Sequence, residues 1–383
     1  MKFVVDKNIP LVEKAFQQFG NVTLVGTPAF SAETIHDADV LIVRSETKVE
    51  QSLLDGARVK FIGTATIGTD HIDLEYLKTR GIAYANAPGC NSDSVKEYIA
   101  AALLHLAWKN GFSLKGKSIG IIGVGNVGSK VAKIASALGM NVLVNDPPLA
   151  KANGGTGYVS LDEVLSADIV TLHVPLTKSG PDATHHLFND DRFQRMKPGA
   201  IFINTSRGAV VETAALKRAI IGKQLGATVI DVWENEPRIN SELATLSTIS
   251  TPHIAGYSIE GKLNAVRMIR EAITSHFHLA APAEQLNGLG KPAVTDIVVG
   301  SDQLPQEEIL QWIVQQSYDI MFDDGQIRRM LSLPADDRPA LFMRLRSGYR
   351  IRREFSNITV HLPALYESLK TTVIALGFNC IVS

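Results

Sequence analysis

The sequence predicts an α/β protein: two doubly wound parallel-sheet domains followed by a small α+β C-terminal domain. Short β-rich runs alternate with amphipathic, helix-like stretches, as in parallel sheets covered on both faces. The alternation comes in two successive series. A glycine-rich turn, Gly123-Val-Gly125-Asn126-Val127-Gly128, opens the second. At 383 residues and about 150 per domain, two to three domains are expected.

The first series reads FVV (3–5), VTLV (22–25), DVLIVR (39–44), KFIGTA (60–65) and IAYAN (82–86) as strands, with helix-like segments at 9–19 and 71–79. A helical stretch follows at 93–108. The second series reads SIGIIG (118–123), NVLVND (141–146), DIVTLHVP (168–175), AIFINTS (200–206), ATVIDVW (227–233) and STIST (247–251) as strands. An amphipathic stretch at 258–279 precedes 281–292, where Ala, Pro and Gly cluster without periodicity, as in a linker. Beyond it come helix-like runs at 305–320, 335–346 and 364–375 and one strand, ITVHL, at 358–362. The expected domains are therefore 1–95 completed by 257–285, then 96–256, then 288–383.

Hydrophobic residues make up 45% and charged residues 20%, which excludes a disordered or collagen-like chain. A net charge of −1 gives no global pull towards nucleic acid or an anionic membrane. Cys90 and Cys380 cannot make a disulfide framework, which suits a reducing cytoplasm. The N-terminus meets Asp6 and Pro10 before any apolar stretch of signal-peptide length. No run approaches 18 uncharged apolar residues, so no membrane span is expected.

G-x-G-x-x-G alone is a weak signal, but here it follows a strand and opens the helix SKVAKIASALGM. In that Rossmann-like setting Gly123 permits the turn, Gly125 admits a pyrophosphate and Gly128 lets helix and strand close up. The free N–H groups of the helix N-terminus favour the anion. Asp146 ends the next strand, where a carboxylate can accept the adenosine ribose hydroxyls and repel a 2′-phosphate. NAD is expected rather than NADP.

Three further groups each lie just past a strand, in the usual ligand crevice of an open α/β sheet. Arg207 follows AIFINTS, Glu236 sits in DVWENEP and His253 in TPHIAGY. A guanidinium can hold a substrate carboxylate through two parallel hydrogen bonds. An imidazole can take a hydroxyl proton while hydride leaves the same carbon, and a carboxylate against it fixes its tautomer and raises its pKa. His71, Cys90, the pair His185-His186 and Trp233 read as structural residues, and no metal site is expected.

GIIGVGNVGSKVA (120–132), FINTSRGAVV (202–211), DVWENEP (231–237) and TPHIAGY (251–257) resemble the signature blocks of the D-isomer-specific 2-hydroxyacid dehydrogenases. The resemblance extends over essentially the whole chain. RSETKV (44–49), APGCNSDSVKEY (87–98), PHIAGYSIEGK (252–262) and the C-terminal domain point to a branch acting on a phosphorylated hydroxy acid. It implies Arg207, Glu236 and His253 as catalytic residues. It implies cofactor contacts at Gly123, Gly125, Asn126, Val127, Gly128, Asp146, Val174, Thr205, Ser206, Arg207, Asp231 (towards the nicotinamide) and Gly256. Ser45, Thr66, Arg207 and Tyr257 would meet substrate, and a homodimer built on the last domain is implied. Val174 departs from the Thr of many relatives, so only its backbone can serve the cofactor; Ser206 is a milder variation.

A carboxylate and a phosphate together call for more than one Arg. Arg44, after DVLIVR, is one candidate for the phosphate end. The other is 328–353, with eight Arg against Asp336 and Asp337, of which Arg346 or Arg350 is expected near the partner's crevice. Competing readings are a different substrate, 3-phosphoglycerate or an unphosphorylated hydroxy acid, and an NAD-sensing regulatory protein.

Overall fold

A computed structural model describes residues 1–280, 286 and 293–383; the linker expected at 281–292 lies, apart from Leu286, outside them. Two compact units result, Met1–Asn91 with Ser258–Gly290, and Ser92–Tyr257 with Lys291–Ser383.

In the first unit β1 (Lys2–Asp6), β2 (Asn21–Val25), β3 (Val40–Val43), β4 (Phe61–Thr64) and β5 (Ala83–Ala85) form a wholly parallel sheet ordered β2-β1-β3-β4-β5. The runs VLIV and FIGT are buried throughout because both faces are covered. Val4, Leu41 and Ile62 meet Ile35, Leu54 and Leu77 on one face. On the other, Phe3, Val5 and Ile42 meet Val266, Ile269 and Ile273 of the helix Ile259–His276. Ser258 starts that helix by accepting the Gly261 N–H at 2.8 Å. Gly63 lets it seat: a Cβ there would lie 2.5 Å from Ile269 Cγ2. Strand order reverses between β1 and β3, so the crevice lies beyond Asp6 and Val43.

In the second unit β6 (Ser118–Ile122), β7 (Asn141–Asn145), β8 (Ile169–Leu172), β9 (Ala200–Asn204), β10 (Leu225–Ile230) and β11 (Ile249–Ser250) run parallel in the order β11-β10-β9-β8-β6-β7. The reversal falls between β6 and β8, beside the glycine turn. The helix Ser92–Asn110 is buried on every side as far as Ala107, which its apolar sequence allows. Its Tyr98, Leu103 and Leu106 share one core with Ile119, Ile121 and Ile134. The same core contains Ile309, Ile313, Val360 and Val373. The C-terminal region, expected as a third domain, therefore packs against the helix Ser92–Asn110 and shares its core.

Its architecture is richer than the sequence suggests. β12 (Asp296–Val298), β13 (Thr359–Leu362) and β14 (Asn379–Val382) form a small parallel sheet, of which only β13 was expected. The run at 305–320 breaks: one helix spans Gln306–Ser317, and Asp319 caps the next, Ile320–Leu331, by accepting the Met321 N–H at 3.0 Å. Arg338–Ser347 and Lys370–Leu376 are the remaining α-helices among the described residues of this region. No helix among the described residues is long and apolar enough to cross a membrane.

Candidate active site

The glycine turn has the geometry its sequence predicts. Gly123 has φ +86°, and a Cβ there would lie 2.7 Å from the His173 carbonyl oxygen. Gly128 opens the helix Gly128–Ala137 so close to the turn that a Cβ would lie 1.9 Å from Gly123 O. Gly125 has nothing within 4 Å of its Cβ position, and Gly125 and Asn126 are exposed. An open shelf of backbone thus faces outward at a helix N-terminus, which suits a pyrophosphate. Asp146 accepts the Val124 N–H at 2.8 Å and, as cap of the helix Pro147–Ala152, the Leu149 N–H at 3.1 Å. Its carboxylate is tied to the glycine turn itself and keeps lone pairs for ribose hydroxyls. Half-buried Val174 lies beyond β8 against Gly123. Thr205 lies beyond β9, 3.5 Å from His173 Nδ1, while burial drives that imidazole down to about 3 and keeps it neutral.

Arg207, Asp231 and His253 follow three adjacent strands, β9, β10 and β11. Ser206 is fixed by two hydrogen bonds to Asn204 Oδ1, at 3.0 and 2.8 Å, and its carbonyl accepts Arg207 Nη1 at 2.8 Å. His253 Nδ1 meets Glu236 Oε2 at 2.7 Å, while Glu236 Oε1 accepts the Trp233 N–H at 2.9 Å. Burial raises the Glu236 carboxyl, but the charge and hydrogen bond of His253, the nearby Arg346 and the Trp233 N–H outweigh it. The carboxyl ends below its ordinary range. His253 Nε2 makes no hydrogen bond among the described residues. The residue has φ +57°, a left-handed conformation that costs a non-glycine residue about 1–3 kcal/mol.

Asp231 is what enforces that strain. Only 1% exposed, it accepts Thr251 Oγ1 at 2.6 Å, the Ile254 N–H at 2.8 Å and the Ala255 N–H at 3.0 Å. Its own carbonyl receives the His253 N–H at 2.7 Å. The side chain expected towards the nicotinamide thus ties down the loop that carries His253, with Gly256 and Tyr257 following. Trp233 Nε1 adds a bond to Thr251 O at 3.0 Å.

In the first unit, Arg44 and exposed Ser45 follow β3, and half-buried Thr66 follows the neighbouring β4. Thr66 Oγ1 lies 2.7 Å from Thr64 Oγ1 and donates to Gly68 O at 3.0 Å. Arg44 differs from the expectation of a ready phosphate ligand. Its guanidinium binds Asp6 at 2.9 Å and Glu46 at 3.0 Å, two carboxylates against one cation, so in this arrangement it offers an anion no net positive charge. His71 precedes the helix Leu74–Arg80, with Nε2 2.9 Å from Thr64 Oγ1, and Cys90 is buried. His186 pairs with Glu234 at 2.8 Å.

Comparison with known proteins agrees with this geometry. Residues 94–255 match the NAD-binding domain of the D-isomer-specific 2-hydroxyacid dehydrogenases, and 289–377 match a domain of unknown function. The erythronate-4-phosphate dehydrogenase of Salinibacter ruber is 44% identical over 97% of each chain. That of Hahella chejuensis is 42% identical over 99% of each. The chain belongs to the erythronate-4-phosphate dehydrogenases, within the D-isomer-specific 2-hydroxyacid dehydrogenase family.

Among solved structures, a D-lactate dehydrogenase from Aquifex aeolicus complexed with NAD and lactic acid matches with TM-score 0.61 and 28% identity, over 73% of this chain and 96% of that one. An NAD-bound 3-phosphoglycerate dehydrogenase from Entamoeba histolytica matches at 0.63 and 26%, over 75% and 99%. The cofactor of this dehydrogenase chain is NAD. One charged neighbour of the His253–Glu236 pair escaped the sequence reading. Arg346, expected at a partner's crevice, lies 4.0 Å from Glu236 of its own chain. No local motif marks it, because the contact joins positions 110 apart.

Proposed function

We propose that this chain oxidises 4-phospho-D-erythronate to 3-hydroxy-2-oxo-4-phosphooxybutanoate with NAD, a step of pyridoxal 5′-phosphate biosynthesis. The observation that carries the reading is the His253–Glu236 pair at 2.7 Å, beyond the same sheet edge as the glycine turn and Arg207. Glu236 holds Nδ1 protonated and leaves Nε2 as a base for the C2 hydroxyl. As the proton moves, the carboxylate stabilises the imidazolium that forms. Arg207, with five donors in a planar fork, orients the substrate carboxylate. Gly123, Gly125, Asn126, Val127 and Gly128 would hold the cofactor's pyrophosphate, Asp146 its adenosine ribose, and Val174, Thr205, Ser206 and Gly256 its remaining length. The chemistry NAD supplies when bound is acceptance of the hydride from C2.

The unit with Arg44, Ser45 and Thr66 serves as the substrate-binding part, and Tyr257 is a further substrate contact. A homodimer built on the C-terminal region is supported by its surface. Of thirteen exposed large apolar side chains among the described residues, eight lie there, including Val298, Ile351, Ile374 and Ile381. A second copy is the commonest cover for such a surface. Two free cysteines fit a reducing cytoplasm.

NADH formation with 4-phospho-D-erythronate, 3-phosphoglycerate and D-lactate tests the reading. Turnover should be fastest with the first; preference for either of the others overturns the substrate, and no turnover with any overturns the activity. His253→Ala should lower kcat by about 10² or more while NAD still binds.

A further inference from the structure

Arg346 lies in the last turn of the helix Arg338–Ser347, inside the arginine-rich stretch that the sequence presents as a surface. The structure buries it. Its side chain is 10% exposed, and Nη1 lies 4.0 Å from Glu236 Oε2, the oxygen that also meets His253 Nδ1 at 2.7 Å. Two neighbours converge on the same place. The Tyr349 ring meets Tyr257 edge-on at 5.7 Å, and Arg352 Nη1 donates to the Ala255 carbonyl at 3.2 Å. Arg352 is itself anchored on the helix Ser92–Asn110 through Ser94 O at 2.7 Å and Glu97 at 3.4 Å. One seven-residue stretch therefore touches the carboxylate behind the base and the loop that carries the base.

We propose that Arg346 is a positioning residue of the acid–base pair, its guanidinium holding the Glu236 carboxylate in place against His253. The proposal rests on the reading of Glu236 and His253 as the proton-handling pair. The charged groups facing Glu236 are His253 and Arg346, with the Trp233 N–H on the other oxygen. Arg346 favours the ionised carboxylate despite burial, so the pair keeps its carboxylate to lower pH than it would without that cation. A residue of the C-terminal region would in this way extend the working range of the pair to lower pH.

The test uses full-length Arg346→Met, Arg346→Gln and Arg346→Lys, with kcat, KM and the pH profile of kcat/KM for oxidation, and NAD binding measured by fluorescence. In the Met and Gln variants the acidic limb should move to higher pH. On that limb kcat/KM should fall about tenfold, the equivalent of one pH unit, with KM for the hydroxy acid within about twofold. Lysine should restore most of the loss, and guanidinium ion should rescue the Met variant in part. If Met fails to fold, Gln carries the same comparison. A tenfold rise in KM with an unmoved profile would make Arg346 a substrate contact and overturn the proposal, as would unchanged kinetics. His253→Ala separates the two ideas: turnover persisting there removes the reading of the pair itself, whatever Arg346 does.

Discussion

Replacing Asp231 by Asn changes one oxygen to an NH₂ group and leaves the shape alone. If the amide oxygen takes the Oδ1 position, it keeps the bonds from Thr251 and Ile254 but without charge assistance. The NH₂ then faces the Ala255 N–H, donor against donor, at a spot where Asp231 is 1% exposed. Bonds to a charged group contribute roughly 1.5–3 kcal/mol against about 1 for neutral ones, and a buried unsatisfied N–H costs about 1–3. The sum is on the order of 3 kcal/mol. At about 2–4 °C per kcal/mol for a unit of this size, Tm should fall by roughly 6–12 °C. The loop freed is the one that holds His253 at φ +57°, so kcat should fall while KM for NAD changes little. Melting by circular dichroism and steady-state kinetics measure both. An unchanged Tm with a raised KM for NAD would refute the reasoning and make Asp231 a direct cofactor contact.

Other consequences are as open to measurement. Asp146→Ala removes the repulsion of a 2′-phosphate, so the ratio of kcat/KM for NAD over NADP should fall; wild-type protein using both equally would contradict the role of Asp146. Burial raises the Glu97 carboxyl to about 8, opposed in part by Arg352. The folded state therefore holds that proton more tightly than the unfolded chain, where a Glu titrates near 4.3. The stability this gives is complete below about pH 4 and is lost as pH rises through 8, so Tm should be lower at pH 9 than at pH 7 and Glu97→Gln should narrow the difference. Truncation after residue 290 strips Ile309, Ile313, Val360 and Val373 from the core of the helix Ser92–Asn110. The truncated chain should accumulate as aggregate, and a soluble NAD-binding monomer would show that the core survives without them.

What the sequence disclosed follows from the range of the interactions. The glycine turn, Arg207, Glu236 and His253 were legible because each lies a few residues past a strand whose periodicity marks it. The contacts of Asp231 with the loop that carries His253, and of Arg346 with Glu236, were not, since one depends on a loop some twenty residues later and the other on a helix from the far end of the chain. Arg44 was found as a cation, but its neutralisation requires Asp6, 38 positions earlier, and β1 beside β3. In the C-terminal region β12 escaped because three residues are too short for alternation to show, and β14 because NCIV, unlike the TVHL of β13, does not alternate polar and apolar residues. The break after Ser317 was hidden because the apolar spacing runs on across Tyr318 and Asp319.

The order in which the chain emerges during synthesis gives the interleaved units a cost in time. The sheet β1–β5 is complete by Ala85, yet the helix that covers one of its faces does not begin until Ile259. At about 5–20 residues per second, translation leaves that face uncovered for roughly 10–35 s. The second unit waits longer still, because Val360 and Val373, which complete its core, lie within the last 24 residues. Neither unit can complete its core while the ribosome is midway through the message, so each sheet stays part-covered for most of synthesis.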